Sequence, residues 1–92
     1  MAYRLMTPRF PLGKIVATPG SLNLGVDLNP YMHLHHCGDW GDLDNEDKDT
    51  NEQALEVGAR ILSCYQVGGG RRIYIITEAD RSVTTVLLPE EY

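Results

Sequence analysis

The alternation of apolar and polar positions is strongest in the last third of the chain. Ala59 to Val67 alternates with period two, and two runs rich in β-branched and aromatic residues follow, Arg72–Glu78 and Val83–Leu88. That periodicity and composition predict three strands. Gly68-Gly69-Gly70 supplies a hairpin connection between the first two, and the charged stretch Glu78–Ser82 supplies the second turn. The result is a three-stranded antiparallel meander.

The pattern is different upstream. Residues 1–12 hold Pro8 and Pro11 and show little periodicity, so they read as an irregular arm preceding a single domain, 13–92. Lys14–Thr18 is a short strand, closed by the turn signal Pro19-Gly20. In residues 21–28 the alternation of Leu22, Leu24, Val26 and Leu28 is interrupted by Gly25, and no element is assigned. Asn29-Pro30 opens a helix that runs to Cys37, and Gly38 stops it. Tyr31, Leu34 and His35 share one face of that helix by i, i+3, i+4 spacing. A second helix is predicted over Asn45–Val57, with Thr50 as the place where it would break. Asp44 and Asp47 form an approximate capping box at its start, and Gly58 caps its end. The fold class is therefore α+β: a short N-terminal strand, two helices, then the meander, with the helices on one face.

Ninety-two residues make one small domain, in which a deep catalytic pocket would consume much of the core. This favours a binding surface over an enzyme. The net charge is −5, and it is unevenly placed. Seven acids and one base, Lys48, lie between Asp39 and Glu52, a local balance of −6 that leaves the rest of the chain at +1. Direct nucleic-acid binding is disfavoured, because phosphate contacts need a clustered positive face. Arg4, Arg9, Lys14, Arg71 and Arg72 are candidates for a small basic patch. Cys37 and Cys64 do not make a disulfide framework. Met1–Phe10 lacks a signal-peptide apolar core, and no apolar run approaches the ~20 residues of a membrane span. A reducing cytoplasm, with no membrane contact, is the expected location.

Candidate chemistry is thin. His33, His35, His36 and Cys37 are the densest potential metal ligands, but a structural zinc site wants four, and a credible fourth is missing. No metal or cofactor is expected. Asp42, Asp44 and Glu46 alternate as in a calcium loop, yet Asp47 and Gln53 occupy the positions where such a loop needs Gly and Glu. Gly68–Gly70 precedes a strand, whereas a phosphate-binding loop opens a helix. Trp40, between Gly38-Asp39 and Gly41, has two readings: a core anchor for the turn, or an interface anchor. Arg81 is placed to pair with Asp80, with Glu78 or with the first helix.

Several blocks together resemble an uncharacterised family of short proteins from bacteria, phages and plasmids. The matching residues are Pro11–Gly20, then His35 with Gly38-Asp39-Trp40-Gly41. They continue through Asn51-Glu52, Ala54-Leu55, Gly58, Arg60, Leu62-Ser63 and Tyr65, and end in Ile75–Ser82, Thr84-Thr85 and Leu87–Tyr92. The chain departs from that pattern at Lys48, where an aromatic is usual, and at Cys37 and Cys64. The resemblance implies a mobile-element setting and no established activity. Two functions follow as expectations. The first is a non-enzymatic module that docks an acidic, tryptophan-bearing surface (Trp40, Asp42, Asp44, Glu46, Asp47) on a basic protein, and so modulates a host defence or nucleic-acid-processing component. A homodimer paired through sheet edges is compatible with it. The second is a small-ligand binder or hydrolase with its site between the first helix and the 78–81 loop, using His35, Asp39, Glu78, Asp80 and Arg81.

Overall fold

A computed structural model describes residues 7–92. Strand β1 (Lys14–Ala17) is followed by a single helical turn, α1 (Pro19–Leu22), and by helices α2 (Asn29–His36) and α3 (Asn45–Val57). Strands β2 (Ile61–Gly68), β3 (Arg71–Thr77) and β4 (Val83–Leu87) come next, then a 3-10 turn, Pro89–Glu91. The sheet order is β1-β4-β3-β2. β2, β3 and β4 form the antiparallel meander, and the fold is α+β as the periodicity predicts.

β1 joins the same sheet in parallel with β4, Lys14 opposite Val83 and Ala17 opposite Val86. Pro19-Gly20 opens a helical turn in place of the expected simple turn. Thr18 Oγ1 accepts from Ser21 N at 3.2 Å, and a proline at the first helical position loses no hydrogen bond. Ser21 Oγ donates to Val86 O at 3.1 Å, which pins α1 to β4. α2 starts one residue earlier than predicted, so Leu28 and not Asn29 is its N-cap and supplies no side-chain cap, while Asp27 Oδ1 accepts the Asn29 amide at 3.0 Å. α3 is unbroken at Thr50, whose hydroxyl donates back to Glu46 O at 3.1 Å. Asp44 Oδ1 accepts from Asp47 N at 2.8 Å, and Gly58 ends the helix in the left-handed conformation. The β2–β3 hairpin turns on Gly69 and Gly70, at φ 59° and 71°. A two-residue turn with both φ positive matches the strand twist, and glycine enters it without steric cost.

One sheet face carries Tyr65, Val67, Ile73, Ile75, Val86 and Leu88 against Met32 of α2. A second cluster, Phe10, Trp40, Ala54 and Ile61, sits between the arm, α3 and β2. Ile61, Ile73 and Ile75 are fully buried, each worth of order 2 kcal/mol. The described part of the arm has no regular structure but is docked. Phe10 is buried and Arg9 N donates to His36 O at 3.0 Å. Residues 1–6 of the predicted arm, with Arg4 of the predicted basic patch, lie outside the described residues.

Candidate functional site

Polar side chains gather in two places, one inside the molecule and one on its surface. The inner group centres on His35, which α2 turns into the core. His35 Nδ1 lies 2.6 Å from Ser63 Oγ and Nε2 lies 2.9 Å from Thr77 Oγ1. Thr77 Oγ1 is 2.7 Å from Thr84 Oγ1, which donates to Leu12 O at 2.7 Å. His35, Ser63, Thr77 and Thr84 are all fully buried. A carbonyl only accepts, so it fixes every proton in the row. Thr84 donates to Leu12 O, Thr77 donates to Thr84, and His35 Nε2–H donates to Thr77. Nδ1 is then bare and accepts from Ser63. Burial, aided by the neighbouring charge of His36, lowers the His35 pKa to about 3, so the imidazole is neutral. Ser63 beside His35 has the composition of a hydrolytic dyad, but neither atom meets solvent. The row ties β2, α2, β3, β4 and the arm together, and no substrate reaches it. His35 therefore does not serve the ligand site predicted for it.

The turn Gly38–Leu43 covers the outer edge of β2. Trp40 adopts φ 69°, in the left-handed region, which drives its ring inward to 2% exposure. Of its two readings the core anchor is the one observed, and Trp40 is no part of a docking surface. Its Nε1 donates to Glu52 Oε2 at 2.8 Å, while Arg9 grips the same carboxylate with two bonds of 2.8 Å. Arg9 first and Trp40 second hold the Glu52 pKa at about 2. A Cβ on Gly41 would sit 2.0 Å from Cys64 O, so only glycine lets this backbone touch β2. Cys64 N donates to Trp40 O at 3.3 Å and Asp42 N donates to Cys64 O. One turn further on, Asn51 binds Leu62 through both its amide atoms, at 2.8 and 3.2 Å. The β2 edge is thus occupied at Leu62 and Cys64. β1 is the other edge of the sheet, and Ile15 on it is exposed.

The 78–82 loop is also structural. Arg81, at φ 61°, donates to Ala59 O, Glu78 O and Ala54 O at 2.6, 3.1 and 3.1 Å. It thereby ties its own loop to the C-terminal end of α3, adding a side-chain bond to Ala54 O, which also accepts from Gly58 N and Ala59 N, and satisfying Ala59 O just beyond the helix. It pairs with neither Asp80 nor the Glu78 carboxylate. Asp80 Oδ1 accepts from Ser82 N at 3.0 Å, which lowers the Asp80 pKa. Glu78 pairs with Arg60 at 3.2 Å, and Asp39 Oδ1 accepts from Gly41 N at 2.9 Å. His35, Asp39, Glu78, Asp80 and Arg81 are not brought together around one opening.

Exposed polar side chains line one face of α3. Glu46, Asp49, Gln53 and Glu56 follow one another at i, i+3, i+7 and i+10 and are exposed, as is Asp47 beside them. Among the described residues Glu46, Asp47, Asp49 and Glu56 have no ion-pair partner. The earlier acids are committed: Asp42 to Arg72 at 3.0 Å and to Gln66, Asp44 to its cap. Arg9 and Arg72 are drawn into these pairs, so the predicted basic patch does not form from them. Next to the acidic stripe is a cleft of about 360 Å³, lined by Leu43, Asp47, Thr50, Asn51, Arg60, Leu62, Tyr74 and Tyr92. It lies between α3 and the sheet face opposite the core. The sequence reading missed it, because Leu62 and Tyr74 belong to different strands and Tyr92 follows the last.

Cys37 and Cys64 are free thiols, and burial raises the pKa of Cys64. Cys37 Sγ lies 4.0 Å from His33 Nε2, and among the described residues no three potential ligands converge as a metal site requires. No helix of the described residues is long and apolar enough to cross a membrane. No protein-family model matches the chain, and no match was found among curated proteins or solved structures.

Proposed function

We propose that the protein is a non-catalytic binding module, acting in the cytoplasm for a mobile element or phage, whose acidic α3 face docks a basic surface of a protein partner. A host defence or nucleic-acid-processing component has the required surface chemistry, because proteins that grip a phosphate backbone display clustered Lys and Arg. The observation that carries this reading is the row Glu46, Asp47, Asp49 and Glu56, exposed and, among the described residues, unpaired, while nearby acids are matched by Arg9, Arg72 or helix amides. Charges left over after the fold has used what it needs are available to steer a partner. The same accounting weakens the small-ligand reading, since His35, Asp80 and Arg81 are engaged in internal bonds.

The test is association kinetics with a partner isolated from host lysate, at two salt concentrations. The variant combines Glu46→Gln, Asp49→Asn and Glu56→Gln. Its association rate should fall by about tenfold at low salt, and its salt dependence should flatten, because steering is lost while contacts at the site remain. Salt-insensitive binding, unchanged in the folded variant, would reduce the acidic face to a solvated helix surface.

A further inference from the structure

We infer that the cleft beside the acidic stripe receives a bulky aromatic side chain carried by a basic, extended segment of the partner. This rests on the docking reading and names what the docked segment looks like. The cleft has an apolar part: Leu62 and Tyr74 project from the sheet face opposite the core, and Leu43 joins them in the lining. Tyr92 forms a wall. It is 66% exposed and stands edge-on to Tyr74, ring centroids 5.9 Å apart and planes at 81°. An aromatic guest extends that edge-to-face arrangement without rearranging it. The volume, about 360 Å³, is at the small end for ligand sites and suits one large side chain better than a cofactor.

The charges around the cleft select the rest of the occupant. Arg60, the cation in the lining, is held by Glu78 at 3.2 Å and contacts Tyr92 Oη at 3.4 Å, so its charge is matched. Asp47, also in the lining, has no ion-pair partner among the described residues, and Glu46 and Asp49 continue the negative field along α3. A second hollow of about 230 Å³ adjoins across Arg60 and Tyr92, and apart from the matched Arg60–Glu78 pair it carries one more carboxylate, Glu91. An acidic or phosphorylated segment is repelled along this whole path. A lysine- or arginine-bearing segment is attracted, and an aromatic anchor lets it exclude water from Leu62 and Tyr74.

The probes are two synthetic peptides of identical lysine and glycine content, one with a central tryptophan and one with alanine there. They are titrated into the ¹⁵N-labelled protein and followed by amide shifts. The tryptophan peptide should bind about tenfold more tightly, with the largest shifts at Leu43, Thr50, Leu62 and Tyr74. Thr50→Trp, which fills the cleft from the exposed helix rim, should reduce the tryptophan peptide to the alanine level and leave the alanine peptide unaffected. Tyr92→Ala, remote from the core, should weaken only the tryptophan peptide. If both peptides bind equally and both weaken with salt, the cleft inference is overturned and the docking reading stands. If neither binds, or binding ignores salt, both are overturned.

Discussion

The row through His35 and the outer face of α3 are the two most polar regions of the described chain, and they have opposite fates. Around His35 each polar atom has a partner within 2.9 Å and none meets solvent. On α3 the side chains of Glu46, Asp47, Asp49 and Glu56 face water without a cation. The inner group has the residue types associated with catalysis, Ser, His and Thr, yet its hydrogen-bonding capacity is consumed in joining five segments. The outer group has no catalytic composition, yet its charge is free to act on something else. Polar residues that the fold consumes hold it together, and those it leaves over are where function is to be sought. A buried polar row is stable only when complete, whereas a surface acid tolerates replacement.

That contrast predicts a graded set of effects on stability. The largest is expected at His35. His35→Ala leaves the Ser63 and Thr77 hydroxyls short of a partner and opens a cavity, so urea denaturation should show a loss of about 3–4 kcal/mol. A loss below about 1 kcal/mol would mean that the row is not the tie described. The second effect comes from pH. The folded His35 pKa, about 3, lies below the ordinary value of 6.5, so the unfolded chain binds the proton first. Stability is full above pH 6.5 and declines as pH falls toward 3, by about 2–3 kcal/mol between pH 7 and 4.5. Below about pH 4.5 protonation of Glu52 acts in the same direction, since its folded pKa is about 2. In His35→Ala the decline above pH 4.5 should largely vanish, which chemical denaturation at several pH values reads directly.

Arg81 tests the boundary between the two regions, being a surface cation used internally. Arg81→Ala loses the bonds to the Ala54, Ala59 and Glu78 carbonyls and keeps an unfavourable left-handed backbone. Arg81→Gly loses those bonds alone. Alanine should therefore cost roughly 2 kcal/mol and glycine about 1 kcal/mol less than that. Equal losses would show that the backbone angle is not strained. The smallest effect belongs to the α3 stripe. Glu46→Gln, Asp49→Asn and Glu56→Gln together should change stability by less than about 0.5 kcal/mol, while slowing association as described above. A larger loss would make the stripe part of the fold and end its use as a docking face.

The local elements were legible because their causes are local. Asp44 and Gly58 bracket α3 at the residues the capping pattern indicates. The glycine turn and the β-branched runs specify the meander through turn chemistry and a period of two. What the sequence could not decide is which segments meet. The parallel place of β1 beside β4, the occupation of the β2 edge by Asn51 and Gly41, and the union of Ser63, His35, Thr77 and Thr84 bring together residues up to 72 positions apart. Burial and charge matching are properties of that assembly. They turned His35 and Arg81 from candidate ligands into internal ties and Trp40 from a candidate anchor into core. They also left Glu46, Asp47, Asp49 and Glu56 of α3 exposed and, among the described residues, without an ion-pair partner, because a side chain's availability depends on what the rest of the chain does with it.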